Sequence, residues 1–487
     1  MPPKRRRGTD DVDASNLGSS TRAKRSRYVT DDVIHVEYYE ENGLRKIRPY
    51  FHEFETYAKG RWLKHTIMDV FDREFADRPH EYYESAIRNG RITVNRKPVD
   101  LTYRLKNGDL VSHRNHRHEP PVVAGPIPIL VHAGDMLVVT KPASVPVHPA
   151  GRYRHNTLIH LLQRQLGEAA AAVASHDGND DDAEEDGNAD SSKTTAQLGP
   201  TVYALHRLDR LTSGVMLLCT DRARIRDLSD QFTKATVGKE YLCLVVGEFP
   251  SDPVVCTAPI RILHHKLGLN EVHESGKACE TRFERLAFDP ETNRSLVRAQ
   301  PVTGRTHQIR VHLRHLGHPI PNDPLYCNPG HRHVVKDRDA WTAAMQLATP
   351  KATSSTATME GWNDAELVAV DDETKAWIAA VAAAKLAADQ RVVGQCEKCG
   401  LDLFPDPTPD ELMIFLHAYK YSIRLELDAP PSQYMAYDSE SGTTTIRTDV
   451  PDWAQWPGID LAAEPLTPVL TRLAQTGDDD NGGGDDE

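Results

Sequence analysis

Long hydrophobic runs are missing from this sequence of 487 residues. No stretch approaches the roughly 18 consecutive apolar residues of a transmembrane helix, which argues against a membrane-spanning protein. The first residues also lack the short apolar segment of a secretory signal. Cysteine is scarce, with 7 residues that are mostly scattered, and this favours a reducing compartment over a disulfide framework. We therefore expect a folded protein without membrane spans or structural disulfides.

Charge is unevenly spread along the chain. The net charge is −13, but 9 acids and no Lys or Arg lie between Glu168 and Asp190, and 6 acids lie between Asp478 and Glu487. Outside these two runs the chain carries a net charge of +2. We interpret the acidic runs as solvated, disordered segments. The nearly neutral remainder permits nucleic acid as a partner without requiring it.

Two basic clusters lie near the amino terminus, at Lys4–Arg7 and Lys24–Arg27. Their spacing resembles a bipartite nuclear import signal, although a disordered tail with incidental charge explains them equally well. Three acids, Asp10, Asp11 and Asp13, argue against a mitochondrial transit segment. We expect a cytoplasmic protein, a nuclear protein, or one found in both compartments.

Composition and patterning divide the chain into four parts. They predict a disordered basic tail at 1–27, an amino-terminal module at 28–124, a larger domain at 125–455 and an acidic tail at 456–487. Within the larger domain, 168–199 is rich in Asp and 328–408 is irregular and rich in Ala and Thr, so we interpret both as insertions.

The amino-terminal module has the pattern of two short helices followed by a small sheet. Apolar residues repeat at helical spacing over 67–75, and Tyr82–Arg88 predicts a second helix that ends at Asn89. This order resembles the alpha-L RNA-binding module of a ribosomal small-subunit protein. In such a module Arg88 and Arg91 would contact RNA phosphates. A small α/β module with a solvated basic face is the alternative.

Several helices of the larger domain are predicted with their ends. Thr157 caps a helix that ends before Gly167, and Asp221–Ala235 is amphipathic. Thr306 caps a further helix that ends at Gly317.

Three short segments contain the residues best suited to catalysis. They are HRLDRLTSG at 206–214, KEY at 239–241 and TGRTHQIR at 303–310. Asp209 lies between two arginines, whose charges favour its ionised form and hence a role as nucleophile or base. Tyr241 offers a stacking face and a phenol, and Arg310 lies on the predicted helix, where it can pair with Asp209. These residue types suit a reaction at a ribose and its base.

The three segments resemble those of the RluA-type pseudouridine synthases. Further matching segments are VVTKPASVPV at 138–147, LGHPIPNDPLY at 316–326 and LHAY at 416–419. The resemblance covers about 125–330 and 410–455, and it implies an α+β fold, a mixed, largely antiparallel sheet flanked by helices, with an RNA cleft along one face. The amino-terminal module, with Gly60–Trp62 and Arg117–Pro121, resembles the eukaryotic branch that modifies tRNA.

The resemblance implies that a uridine in RNA is detached at its N–C1′ bond, rotated and rejoined through C5. Asp209 matches the essential aspartate, Tyr241 the tyrosine that packs on the base, and Arg310 the arginine that pairs with the aspartate. Arg207 matches a residue that fills the base stack when the target nucleotide leaves it. We also place Arg305 and His307 among the substrate-binding residues.

Several features of the reaction follow from the same resemblance. Whether the aspartate adds to C1′ or removes the 2′ proton is left open. Substrate and product contain the same atoms, so neither a redox cofactor nor a metal is required. We expect RNA as the partner, with tRNA favoured and position 32 of the anticodon stem-loop as the target. We expect a monomer without an obligate protein partner.

Two other functions are compatible with this fold. One is a catalytically inactive RNA-binding protein, against which the intact Asp209, Tyr241 and Arg310 argue. The other is a pseudouridine synthase that acts on mRNA or rRNA.

Two other enzyme classes fail on their motifs. A zinc deaminase needs H-x-E followed by P-C-x-x-C, but Gln395 precedes Cys396. A protein kinase needs a DFG motif and a glycine-rich loop, which this sequence lacks.

Cys396 and Cys399 form a lone C-x-x-C pair. Cys327, His331 and His333 are the candidates that would complete a zinc site with them, but their spacing is irregular. We interpret the pair as ordinary thiols and predict no metal.

Overall fold

The computed structural model describes residues 36–75, 80–176, 199–234, 236–264, 267–327, 372–389 and 391–469. The basic tail at 1–27 lies outside these ranges. So do 177–198 and 328–371, which form much of the two predicted insertions, and 470–487 at the carboxyl end.

The chain forms strands and helices in an α+β arrangement. The strands are β1 (Tyr38–Glu41), β2 (Leu44–Ile47), β3 (Tyr50–Tyr57), β4 (Ile92–Val94), β5 (Leu110–Arg117), β6 (Val122–Val123), β7 (Ile129–Ala133), β8 (Met136–Lys141), β9 (Tyr203–Ala204), β10 (Ser213–Cys219), β11 (Gly238–Val246), β12 (Val254–Cys256), β13 (Ile260–His264), β14 (Leu269–Val272), β15 (Thr281–Asp289), β16 (Arg294–Pro301), β17 (Gly394–Gln395), β18 (Asp402–Leu403), β19 (Leu416–Ile423), β20 (Met435–Asp438) and β21 (Thr443–Arg447). The α-helices are α1 (Ile67–Val70), α2 (His80–Arg88), α3 (Leu158–His176), α4 (Arg222–Thr233), α5 (Gln308–His315) and α6 (Asp372–Asp389).

A central sheet organises the larger domain. Its strands follow the order β12-β15-β16-β11-β19-β10-β8-β7, with β21 paired to β19 and β20, and β9 to β10. Among the strands that the structure describes, only β10 and β19 pair in parallel. The sheet is therefore mixed and largely antiparallel, as the sequence resemblance implied.

Burial against helices explains the composition of the central strands. Every residue of β10 after Ser213 is buried, and β11 is buried almost throughout. Leu158, Leu162 and Leu313 from the flanking helices join the same apolar core. Within the described part of the chain, no helix combines the length and apolarity of a membrane span.

The amino-terminal module has an apolar core of its own. Its sheet has the order β3-β5-β4, and α1 and α2 contribute residues to the core that contains Trp62, Tyr83 and Val111. Thr66 begins α1 with a reciprocal capping box, because its side chain and that of Asp69 each accept the other's backbone amide. The order of two helices and a small sheet agrees with the sequence pattern, while the boundary at 124 stays a prediction.

Two predicted helix ends are wrong. Helix α3 runs through Gly167 to His176, into the predicted insertion. The alanine-rich sequence after Gly167 has high helix propensity, which outweighs the cost of about 1 kcal/mol for one glycine. Helix α5 is capped by His307 in the left-handed conformation, not by Thr306.

Residues 456–469 do not belong to a tail. Leu461 is buried, and Tyr419 of β19 donates a hydrogen bond to its carbonyl at 2.7 Å. The amide of Val469 donates to the Ser422 hydroxyl at 2.9 Å. This segment packs on the central sheet because its apolar residues cover one face of β19 and β11.

Gly214 allows β10 and β19 to approach each other closely. Its φ angle is +120°, and a Cβ at this position would lie 2.2 Å from the carbonyl oxygen of Ala418. Ser213 and Gly214 are the residues that pair in parallel with His417 and Ala418. This contact sets the distance between the Asp209 loop, just before β10, and β19.

We expect Gly214→Ala to lower the free energy of unfolding by about 3–5 kcal/mol, since backbone strain and overpacking act together. Gly134→Ala is the matched control, because Gly134 also has a positive φ, +57°, but faces open space. The control is expected to lose about 1–2 kcal/mol. Denaturant unfolding of both variants measures the difference, and equal losses would contradict the close approach as the cause.

Candidate active site

Four neighbouring strands bring together the three segments that contain Asp209, Tyr241 and Arg310. Asp209 lies in the loop that leads into β10, and β10 pairs with β19 at Gly214 and Ala418. On the other side of β19, Ala418 pairs with Tyr241 of β11. Strand β16 pairs with β11. The loop after β16 leads into α5, the helix that contains Arg310. Sheet order therefore gathers residues that lie up to about a hundred positions apart.

Arg310 is fixed between two carboxylates. Its Nη1 donates a hydrogen bond to Oδ2 of Asp209 at 3.1 Å. Its Nε and Nη2 donate to the two carboxylate oxygens of Asp323, at 2.6 and 2.8 Å. The Tyr326 ring lies beneath the guanidinium, with 4.9 Å from Cζ to the ring centroid. This bidentate pairing fixes the plane of the guanidinium and leaves one nitrogen for Asp209.

The pKa of Asp209 is lowered. Burial by itself would raise it, but the charge of His307, present where the imidazole is protonated at lower pH, and the permanent charge of Arg310 outweigh that effect. Burial also lowers the pKa of His307, so its imidazole is neutral at pH 7. The permanent charge of Arg310 is therefore what keeps Asp209 ionised at neutral pH.

Tyr241 lies in the same cleft, and its hydroxyl is hydrogen bonded. The oxygen lies 2.6 Å from the hydroxyl oxygen of Tyr421 on β19. A β-bulge between Glu240 and Tyr241 shifts the register with β19, so Tyr241 pairs with Ala418. Burial raises the pKa of both phenols above the ordinary value. Tyr241 therefore faces the cleft as a neutral phenol.

The cleft has a volume of about 420 Å³. It is lined by all three predicted catalytic residues and by Arg207, Arg305 and His307. His307 adopts a φ of +58°, and its Nε2 lies 3.7 Å from Oδ2 of Asp209. A non-glycine residue in this backbone region at a cleft is the kind of strain that functional sites hold.

A second cavity, of about 570 Å³, lies beside β21 and includes Arg447 and Trp456 in its lining. None of the predicted site residues lines it. We assign the chemistry to the smaller cleft because it contains the paired ionised groups.

Arg88 and Arg91 do not line this cleft. Arg88 forms an ion pair with Glu84 one helical turn away, at 2.8 Å, and its side chain is exposed. Arg91 lies over the Tyr82 ring, with 4.9 Å to its centroid. Their contact with RNA stays a prediction that concerns the amino-terminal module alone.

Sequence reasoning missed four residues that shape the site: Asp323, Tyr326, Lys141 and Tyr421. The first three fall in segments that matched the family without a role being assigned.

The buried Lys141 ammonium donates to the carbonyls of Pro142, Val145 and Arg210, at 2.7, 2.9 and 3.2 Å. It thereby holds the loop next to Asp209. The sequence signal for this role was the position of a lysine in an apolar strand, because a buried lysine needs buried hydrogen-bond partners.

Lys239 also lines the cleft, and burial lowers its pKa to about 8. Its charge is therefore present below pH 8 and lost above it. If the ammonium binds RNA phosphate, KM should rise several-fold between pH 7 and pH 9 while kcat changes little. Lys239→Arg, which keeps its charge, should remove this rise. Steady-state kinetics across this range measure both, and the same rise in Lys239→Arg would contradict the assignment.

Residues 135–315 match the family model described as RNA pseudouridylate synthase. The chain is also 38% identical over 429 residues to pseudouridylate synthase RPUSD2 of Homo sapiens, which covers 79% of this chain and 72% of the relative. The chain belongs to the RNA pseudouridylate synthase family. It is an isomerase of the RluA type, the class that converts uridine to pseudouridine.

The chain is similar to two further proteins. It is 34% identical over 426 residues to the tRNA pseudouridine(32) synthase, mitochondrial, of Saccharomyces cerevisiae, covering 84% of this chain and 77% of the relative. The solved structure of human RNA pseudouridylate synthase domain containing 4 aligns with a TM-score of 0.36 at 17% identity. That alignment covers 67% of this chain and 90% of the human one.

The expectation of a cytoplasmic or nuclear protein is wrong. The name of the yeast relative points to mitochondria instead. The three acids Asp10, Asp11 and Asp13 do not exclude a mitochondrial segment, because residues 1–27 contain 8 basic residues against those 3.

Proposed function

We propose that this enzyme isomerises a uridine in tRNA, with position 32 of the anticodon stem-loop as its target. The observation that supports the site is the Asp209–Arg310–Asp323 arrangement in one cleft with Tyr241. The tRNA target is supported by the yeast relative named tRNA pseudouridine(32) synthase. A second yeast relative, 27% identical, is named tRNA pseudouridine(31) synthase.

In the proposed mechanism, Asp209 is the reacting anion at the ribose of an everted uridine. Arg310 keeps the Asp209 carboxylate ionised and oriented, and Asp323 fixes the guanidinium of Arg310 in position. The geometry is compatible both with attack on C1′ and with removal of the 2′ proton. Tyr241 packs on the released base while it turns from its N1 to its C5 edge. Burial keeps the phenol neutral at pH 7, so its part in the C5 proton transfer would run through a hydrogen bond.

RNA binding is assigned to the rim of the cleft. The Arg207 side chain is exposed there, and it would fill the stack that the target nucleotide leaves. Arg305 donates to the carbonyl of Ala278, at 3.2 Å from Nη2, which holds its charge beside the cleft for phosphate. Eversion costs a few kcal/mol, so a loop nucleotide, already partly unstacked, is the cheaper target. We propose that the enzyme acts as a monomer and without a further protein partner.

The target position can be tested with transcripts that have uridine at both 31 and 32. After incubation with the purified enzyme, carbodiimide labelling and primer extension should map pseudouridine to position 32. A matched transcript with cytidine at 32 should react at least about tenfold less. Modification at 31 in both transcripts, or of rRNA and mRNA fragments at equal rates, would contradict the proposed target.

A further inference from the structure

Two histidines lie side by side where β5 leaves the amino-terminal module. His116 lies in β5, and His118 follows one residue after the strand ends. Because side chains alternate along an extended chain, residues two apart face the same side. The two rings are in edge contact, with centroids 4.8 Å apart. His116 is buried, so one imidazole of the pair is largely removed from water.

The hairpin β17–β18 presents two cysteines to these histidines. The Cys396 amide donates to the carbonyl of Leu401 at 2.8 Å, and the Gly400 amide donates back to the carbonyl of Cys396 at 2.7 Å. Gly400 has a φ of +67°, which closes the turn. Two cysteines separated by two residues across such a turn have the ligand spacing of structural zinc sites.

The four ligand atoms converge on one point. They all lie within 4.8 Å of one another. Nδ1 of His116 lies 3.2 Å from Nε2 of His118 and 3.5 Å from Sγ of Cys396. Sγ of Cys399 lies 3.4 Å from Nε2 of His118. With zinc–nitrogen bonds of about 2.0 Å and zinc–sulfur bonds of about 2.3 Å, a tetrahedron has edges of about 3.3–3.8 Å.

We propose that His116, His118, Cys396 and Cys399 form a structural zinc site. Two imidazole nitrogens and two thiolates make up a common set of four ligands for zinc, and four protein ligands leave no open position for catalysis. The site lies outside the catalytic cleft, whose lining contains none of these residues. This zinc is not needed for the isomerisation itself.

The partners differ from those that the sequence indicated. The Cys327 thiol is not part of the cluster, and His331 and His333 lie outside the described residues. Sequence spacing could not reveal His116, because 280 positions separate it from Cys396.

A zinc ion here would tie two distant parts of the chain together. It would clamp β5 of the amino-terminal module to the hairpin from the second insertion. An ion pair between Lys46 and Asp406 joins the same two parts. From the hairpin the chain continues to β19, whose Tyr421 contacts Tyr241. The site would therefore hold the proposed RNA-binding module in place beside the segment that leads into the active site.

The test uses the full chain, purified without a histidine tag and without chelators. We expect one zinc ion per chain by elemental mass spectrometry. The double variant Cys396→Ser/Cys399→Ser should contain at least about tenfold less zinc per chain than the wild type. The matched control, Cys327→Ser, should retain the wild-type zinc content. X-ray absorption at the zinc edge should give two sulfur ligands at about 2.3 Å and two nitrogen ligands at about 2.0 Å.

A further variant keeps the test valid if the serine variant does not fold. Cys399→His retains four donors, so its zinc should remain, with one sulfur ligand and three nitrogen ligands. Three results would overturn the proposal: wild-type chain without zinc after growth in zinc, zinc retained by the double serine variant, or a Cys396–Cys399 disulfide in the folded protein by peptide mapping.

Discussion

Replacing Asp209 with asparagine is expected to abolish tritium release from C5-labelled uridine in tRNA. We expect kcat/KM to fall at least about 10⁴-fold, the order of loss that follows removal of a reacting group. RNA affinity should stay within about twofold, because phosphate contacts rather than this carboxylate position the RNA. Single-turnover tritium release and a binding titration measure the two quantities.

The structure explains why this variant should stay folded. Arg310 keeps its bidentate partner, Asp323, so no buried charge is left unpaired when Asp209 becomes neutral. Asp252→Asn is the matched control, since Asp252 is exposed between β11 and β12 and undergoes the same chemical change. It should leave kcat/KM unchanged. An active Asp209→Asn enzyme would refute the proposed mechanism, and a loss of RNA binding with intact kcat would assign Asp209 to substrate binding.

The second large effect is expected for Asp323→Asn, which removes the charge that holds Arg310. Breaking a buried ion pair by removing one partner costs up to about 3–5 kcal/mol of stability, and the single remaining bond from Arg310 to Asp209, at 3.1 Å, offsets only part of that loss. Because the guanidinium is no longer fixed, we also expect kcat/KM to fall about 100-fold. These losses can be measured by denaturant unfolding and by the tritium assay.

The pH profile separates this positioning role from a general loss of stability. Arg310 lowers the pKa of Asp209. The acid limb of the wild-type pH profile of kcat/KM should therefore lie below the ordinary Asp pKa of about 3.9. In Asp323→Asn, a misplaced Arg310 stabilises the anion less, so protonation of Asp209 should begin at a higher pH and the acid limb should move upward.

Glu240→Gln is the matched control for this shift. Glu240 is also buried and pairs with Arg298 at 3.2 Å and with Lys420 at 3.4 Å, but it does not line the cleft. This variant should lose stability without moving the acid limb. Identical pH profiles in Asp323→Asn and the wild type would show that Asp323 is a structural residue only.

Local sequence was sufficient for the elements whose signals lie within a few residues. The helical pattern at Tyr82–Arg88 predicted α2, which runs from His80 to Arg88 and ends at the predicted residue. The amphipathic pattern over 221–235 predicted α4, whose N-cap is Asp221. By contrast, the sequence predicts a helix end at Gly167, whereas the helix continues through it and a second glycine, Gly199, approaches it closely. A Cβ on Gly199 would lie 2.7 Å from the Gly167 amide nitrogen.

The sequence by itself determined the family, because the short segments that contain Asp209, Tyr241 and Arg310 resemble those of its members, and it predicted these three as the catalytic residues. Only the tertiary structure decided how these groups are held: Asp323 as the second partner of Arg310, Tyr421 beside Tyr241, and His116 beside Cys396. The reason is physical. Such contacts depend on strand order, on one β-bulge and on packing between distant segments, and none of these leaves a periodic signal in the local sequence.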